Sequence, residues 1–143
     1  MYHYSESGLQ NVWLKNGYVI HRTPYGKGVA IEDVAGLHKA ICVEIARRPK
    51  LTGAELRFIR TEMGMSQAAL ALLLGTSEQN ISLWERRGKI PKTPDRLVKL
   101  ICLEYMKEDV QVRGLIDKIN AQDAKAQEDI TFEKKAKIWK EAA

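Results

Sequence analysis

The chain has 143 residues, is 45% hydrophobic and 29% charged, and carries a formal net charge of +5 with an isoelectric point of about 9.2. That length supports one principal domain with a true core and some appendages, and the basic balance suits a polyanionic partner. Two cysteines exclude a disulfide-stapled scaffold. A polar start, MYHYSESG, and a longest apolar run of only residues 68–74 argue against a leader or a membrane span, which needs roughly 20 apolar residues.

Residues 1–31 read as short strands and turns. Residues 12–14 and 18–21 flank Lys15-Asn16-Gly17, and Asn-Gly tolerates the positive φ of a tight turn, so a hairpin is predicted there. Residues 23–28 read as a loop and 29–31 as a third strand. The aromatics Tyr2, Tyr4, Trp13, Tyr18 and Tyr25 are expected to cover this small sheet or to fill a dimer contact, rather than to stack on bases.

Glu32 or Asp33 opens a helix that runs to about Arg48, carried by Val34, Leu37, Ile41 and Ile45 at helical spacing. Pro49 ends it, because the residue before a proline avoids helical geometry. The cluster Arg47-Arg48-Pro49-Lys50 is either a solvated helix end or a phosphate contact. Cys42 here, and Cys102 further on, sit in apolar helical patterns and read as buried free thiols, in keeping with a reducing cytoplasm.

The next helix is predicted over residues 52–63. Thr52 and Glu55 form a capping-box pattern, and Leu56, Ile59 and Met63 form the apolar stripe. Gly64 closes it and Met65 packs under the turn. Ser66 caps a short Ala/Leu-rich helix to Leu74. Gly75 stops that helix, and Thr76 or Ser77 caps another that Gly88 ends. On this last helix Ile81 and Trp84 fall on one side. Gln79, Ser82, Leu83 and Arg86 fall on the other, with Glu78 on a flank. An amide, a hydroxyl and a cation thus face outward, the layout of a helix that reads base edges in a major groove.

After Gly88, two prolines stiffen the Lys89–Pro94 connection, and Thr93 is expected to cap a helix with Pro94 at its first position, running to about Met106. Another helix is expected over residues 110–119. Residues 121–129 read as a frayed helix or linker. Residues 130–133 and 137–140 read as two short strands or one helix, and Phe132 and Trp139 suggest that the tail docks somewhere, on this chain or on another protein. The charge surplus lies ahead of this tail: residues 1–50 carry 7 basic and 4 acidic groups, residues 51–106 carry 8 and 6, and residues 107–143 carry 8 and 8.

The run Ser66-Gln67, Leu70-Ala71, Leu74-Gly75-Thr76-Ser77, Ile81, Trp84-Glu85 and Gly88 resembles the Cro/phage-repressor (XRE-type) class of helix-turn-helix proteins. The resemblance covers roughly residues 52–106. It implies a mainly α, five-helix bundle, here with a small N-terminal β hairpin plus helix and a C-terminal extension. It implies that the helix after Ser77 enters the major groove of double-stranded DNA, that Gln67 sits at phosphates, and that Ala71 lets the two helices pack closely. It also implies an internal salt bridge from Arg60 to Glu85, leaving Arg57 for phosphate or solvent.

The N-terminal half, through Ser7-Gly8-Leu9, residues 11–14, Asn16-Gly17-Tyr18 and residues 37–41, resembles antitoxin regulators of the MqsA/YgiT type. Those proteins carry a zinc-binding N-terminal domain with paired CxxC ligands. This chain has none, and His3, His21 and His38 have no ligand spacing, so no metal or other cofactor is expected.

The expected organisation is an N-terminal dimer or interaction region over residues 1–50, the helix-turn-helix domain over 51–106, and a tail over 107–143. The expected function is a homodimeric, cytoplasmic, sequence-specific transcriptional regulator, a repressor. Gln79 is its main base reader, with Ser77, Glu78, Asn80, Ser82 and Arg86 secondary; Gln67, Arg87, Lys89 and Lys92 grip phosphates. The alternative is an antitoxin-like module that binds a toxin-like protein and autoregulates its operon. No nucleophile–base pair, phosphate-cradling loop or metal motif points to catalysis.

Overall fold

The computed structural model describes residues 1–107, 110–121 and 131–142. The protein is mainly helical, with small antiparallel strand pairs. The described residues hold six helices: α1 (Val34–Ala46), α2 (Gly53–Glu62), α3 (Gln67–Leu74), α4 (Glu78–Arg87), α5 (Lys92–Met106) and α6 (Val110–Ala121). The fold expectation had named a bundle of five.

Local sequence sets most of the helix ends. Asp33 caps α1 by accepting from the Gly36 N–H. Thr52 and Glu55 form a complete capping box on α2, each side chain taking the other's backbone N–H. Ser66 caps α3 by accepting from the Ala69 N–H and Ser77 caps α4 by accepting from the Asn80 N–H, and Gly75 and Gly88 close those helices in the left-handed region at φ 70° and 73°. The start of α5 differs from expectation. Lys92, not Pro94, is its first residue, and Thr93 does not cap it. Pro94 stands third in the helix, where the missing N–H is one of the orphan donors of a first turn.

One buried cluster joins the helices and the N-terminal segment. Leu51, Leu56, Ile59, Met63, Leu70, Ile81, Val98 and Ile116 are almost fully buried, and Tyr4, Leu9 and Leu14 join them from before α1. α1 packs on α5 and α2, α4 on α2 and α3, and α6 on α3 and α5. Cys42 and Cys102 lie in this core as free thiols, Cys102 donating to the Cys42 carbonyl at 3.9 Å. The neighbouring Cys102 thiol, together with burial, pushes the Cys42 thiol up, so it stays protonated.

A polar anchor fixes the linker between α1 and α2. Asp95 on α5 accepts from the Leu51 N–H at 2.8 Å and pairs with Lys99 at 2.6 Å, while Lys99 donates to the Pro49 carbonyl at 2.9 Å. Nearer the N-terminus, the Tyr4 hydroxyl meets His38 Nε2 at 2.8 Å, and His38 Nδ1 meets Glu62 at 2.7 Å. His38 is therefore a packed bridge between α1, α2 and the N-terminal segment.

The N-terminal strands pair differently from expectation. β1 (Tyr2–His3) pairs with β2 (Trp13–Leu14), and β3 (Tyr18–Thr23) pairs with β4 (Gly26–Ile31). Asn16-Gly17 does make a turn, with Gly17 at φ 80°, but its flanking strands do not pair with each other. The hairpin turns instead at Pro24-Tyr25, within the predicted loop, where Thr23 Oγ1 bonds the Gly26 carbonyl. That choice gives six paired positions in perfect register and leaves Leu14 to face the core.

The tail forms two strands, β5 (Phe132–Lys135) and β6 (Ile138–Glu141), around Ala136 and Lys137, both at positive φ. Phe132 is 59% exposed and Trp139 is 66% exposed, so neither ring docks on the described residues of this chain. Two strands bury too little on their own surface to shelter both rings. The frayed-helix or linker reading for residues 121–129 lies, but for Ala121, outside the described residues. No described helix is long and apolar enough to cross a membrane.

Candidate nucleic-acid interface

The corner between α3 and α4 positions the candidate surface. Ala71 is buried where the two helices meet, and the Thr76 N–H donates to its carbonyl at 2.9 Å, closing the turn tightly. On α4, Ile81 and Trp84 bury their side chains in the core, each worth about 1.5–3 kcal/mol of transfer free energy. Burial of that pair dictates what remains outside.

The first turn of α4 exposes Ser77, Glu78, Gln79 and Asn80. Ser77 accepts from the Asn80 N–H at 3.2 Å, so it is also the cap. The Asn80 amide donates to Thr76 Oγ1 at 2.9 Å, which ties it to the corner. Glu78, first in the helix, complements the positive end of the dipole. Gln79 is exposed. Ser82, one turn on, is half-buried, and Arg86 is exposed with its Nε folded toward the Ser82 carbonyl at 3.4 Å.

Gln67 stands at the first position of α3, and its amide donates to Glu85 at 3.2 Å. Glu85 is held in turn by Arg60, whose Nε and second guanidinium nitrogen reach the two carboxylate oxygens at 2.7 and 3.0 Å. Arg60 also donates to the Met65 carbonyl at 3.0 Å. Arg57, Arg60, Gln67, Ser82, Glu85 and Arg86 line one recess of about 290 Å³. The structure thus brings Gln67, Ser82 and Arg86 together and adds Arg57. The sequence reading left Arg57 open, since nothing local ties it to α4.

The other cations lie at the far end of α4. Arg87 is its last residue, Lys89 follows Gly88, and Lys92 begins α5; all three are exposed. A second recess, of about 550 Å³, runs from Lys50 and the start of α2 to Arg86 and Arg87. The close approach there depends on Gly53: a Cβ would lie 2.3 Å from the Glu85 carbonyl oxygen. Basic groups therefore gather at the C-terminal end of the exposed α4 face and along the recess beside it. Among the described residues no group of His, Cys, Asp or Glu is arranged to hold a metal ion.

Residues 56–103, about a third of the chain, match the model of the helix-turn-helix family HTH_3. The match spans most of α2, all of α3 and α4, and most of α5. That family is one of DNA-binding regulators and is generally not enzymatic. No curated protein and no solved structure matches the chain.

Proposed function

We propose that the protein is a sequence-specific regulator of transcription that binds double-stranded DNA as a homodimer and represses by covering a promoter. The observation that carries this reading is the polar stripe on α4, with Gln79 and Arg86 exposed and Ser82 half-buried between them, set over the buried Ile81 and Trp84 and beside Gln67 of α3. A helix so mounted fits a major groove. Gln79 reads an adenine edge through two hydrogen bonds. Ser77, Glu78, Asn80, Ser82 and Arg86 add contacts, and Glu78 accepts from a cytosine amino group or repels wrong sites. Gln67, Arg87, Lys89 and Lys92 hold phosphates and set the register.

Selection from a random duplex library tests this directly. The reading predicts a near-palindrome with half-sites about one turn, on the order of 34 Å, apart. An unstructured pool after repeated rounds contradicts it.

A second reading has an observation of its own. Phe132 and Trp139 are exposed on the tail hairpin, which favours a protein contact. Together with the MqsA/YgiT-type resemblance of residues 7–18 and 37–41, it supports an antitoxin-like module that captures a toxin-like partner and autoregulates its operon. Capture of such a partner would survive Gln79→Ala, whereas operator binding would not.

A further inference from the structure

We propose that the β3–β4 ribbon is a second DNA-contacting element, which grips the duplex beside the part covered by α4. The inference rests on the DNA-binding reading above and adds a surface that α3 and α4 do not include.

The ribbon has six paired positions, a length of about 20 Å at about 3.4 Å per residue. β3 and β4 pair only with each other, and nearly all of their residues are exposed or half-buried. Val19 and Ile20 are about half exposed, and Tyr25 at the tip is fully exposed. An isolated pair of strands is marginal in water. A ribbon this long with apolar flanks open to solvent is built for a partner.

Charge identifies the partner. Residues 7–31 contain no Asp or Glu, while Lys15, Arg22 and Lys27 lie among them. Arg22 stands directly opposite Lys27 in the register. Like charges at opposed positions destabilise a strand pair, and neither cation has an ion-pair partner among the described residues. A phosphate between them turns that repulsion into attraction. A second copy of the ribbon meeting it tip to tip would add cations to cations. A two-stranded ribbon also has the width that a major groove admits.

The position of the root agrees. Tyr18 and Ile31 close the ribbon just ahead of Asp33, the cap of α1. One turn into α1, His38 bonds Glu62 at the end of α2. Gly64 turns the chain there, and Ser66 starts α3. The ribbon springs from the end of the α1–α2 pair that also leads to Gln67, which the proposed docking lays on a phosphate.

The test is fluorescence anisotropy of the full chain on a scrambled duplex of about three DNA turns, across a salt series. Each lost phosphate contact lowers the slope of log K against log salt by about 0.9. Arg22→Ala with Lys27→Ala should lower it by about 2 and weaken binding about 10- to 100-fold near 0.1 M salt. Arg22→Glu with Lys27→Glu should weaken it further, and circular dichroism should show both variants folded. Lys118→Ala with Lys140→Ala, two exposed cations outside both surfaces, should leave the slope on this duplex unchanged, which separates the ribbon from general loss of charge. An unchanged slope in folded ribbon variants, while the wild type binds in a salt-dependent way, overturns the ribbon inference and leaves the regulator reading intact. The same unchanged slope with a smaller assembly in sedimentation assigns the ribbon to a protein contact and also overturns it. No duplex binding by the wild type overturns both.

Discussion

Arg60 on α2 and Glu85 on α4 form a two-point ion pair, with N–O distances of 2.7 and 3.0 Å and side chains only 15% and 5% exposed. The pair locks α4 to α2, and Gln67 adds a third donor to the same carboxylate. Removing Arg60 strands a buried charge. Arg60→Ala should cost about 3–5 kcal/mol of stability, whereas replacing both partners with apolar residues of similar volume should cost much less. Denaturant unfolding of the two singles and the double, closed as a cycle, checks this.

Gln79 has no such structural duty. Its exposed amide makes no hydrogen bond within α4 or to a neighbouring helix among the described contacts. Gln79→Ala should leave the melting temperature nearly unchanged and should cost about 1–3 kcal/mol of binding to the selected duplex only. Titration of selected and scrambled duplexes with both proteins separates the effects.

Asp95 and Lys99 make a different kind of anchor. Both are buried, and they hold the backbone of Pro49 and Leu51. Asp95→Ala leaves a buried N–H and a buried ammonium without their acceptor. The expected cost is about 3–5 kcal/mol, seen as a lower denaturation midpoint.

Gly53 sits where α2 meets the end of α4. An alanine Cβ would lie 2.3 Å from the Glu85 carbonyl oxygen and 2.7 Å from that of Trp84, both backbone atoms that cannot swing away. Gly53→Ala should cost about 1–3 kcal/mol through overpacking. It should also weaken DNA binding by shifting α4, which anisotropy would detect.

The Tyr2 hydroxyl donates to the Glu6 carboxylate. This bond raises the Tyr2 phenol from 10.0 to about 12 and lowers the Glu6 carboxyl. For Tyr2 the raised folded value means that its contribution is full below about pH 10 and is lost as pH rises through about 12. For Glu6 the lowered folded value means that its contribution is present above the ordinary carboxylate range and is lost on acidification. Tyr2→Phe should raise the Glu6 carboxyl toward that ordinary range, with the bond from its own backbone N–H still holding it down, read by carboxyl NMR.

The helix-turn-helix core was legible because its signals are local. Thr52 with Glu55, Ser66, Ser77, Gly75 and Gly88 each act within a few residues. The outward face of α4 followed from where Ile81 and Trp84 had to go. The hairpin failed because two turn signals, Asn16-Gly17 and Pro24-Tyr25, competed for the same strand, and ladder length decided between them. Thr93 misled because a proline fits any place in a first turn, not the first alone. The Asp95–Lys99 anchor and the place of Arg57 depend on contacts across long stretches of chain, which no local pattern carries.

The most direct measurement is anisotropy binding to the DNA upstream of the protein's own gene, against scrambled DNA of the same length, across a salt series. The account predicts tighter binding to the upstream duplex, with that preference abolished in Gln79→Ala. Equal binding to both duplexes that fades together as salt rises would contradict it, leaving only a basic surface at work.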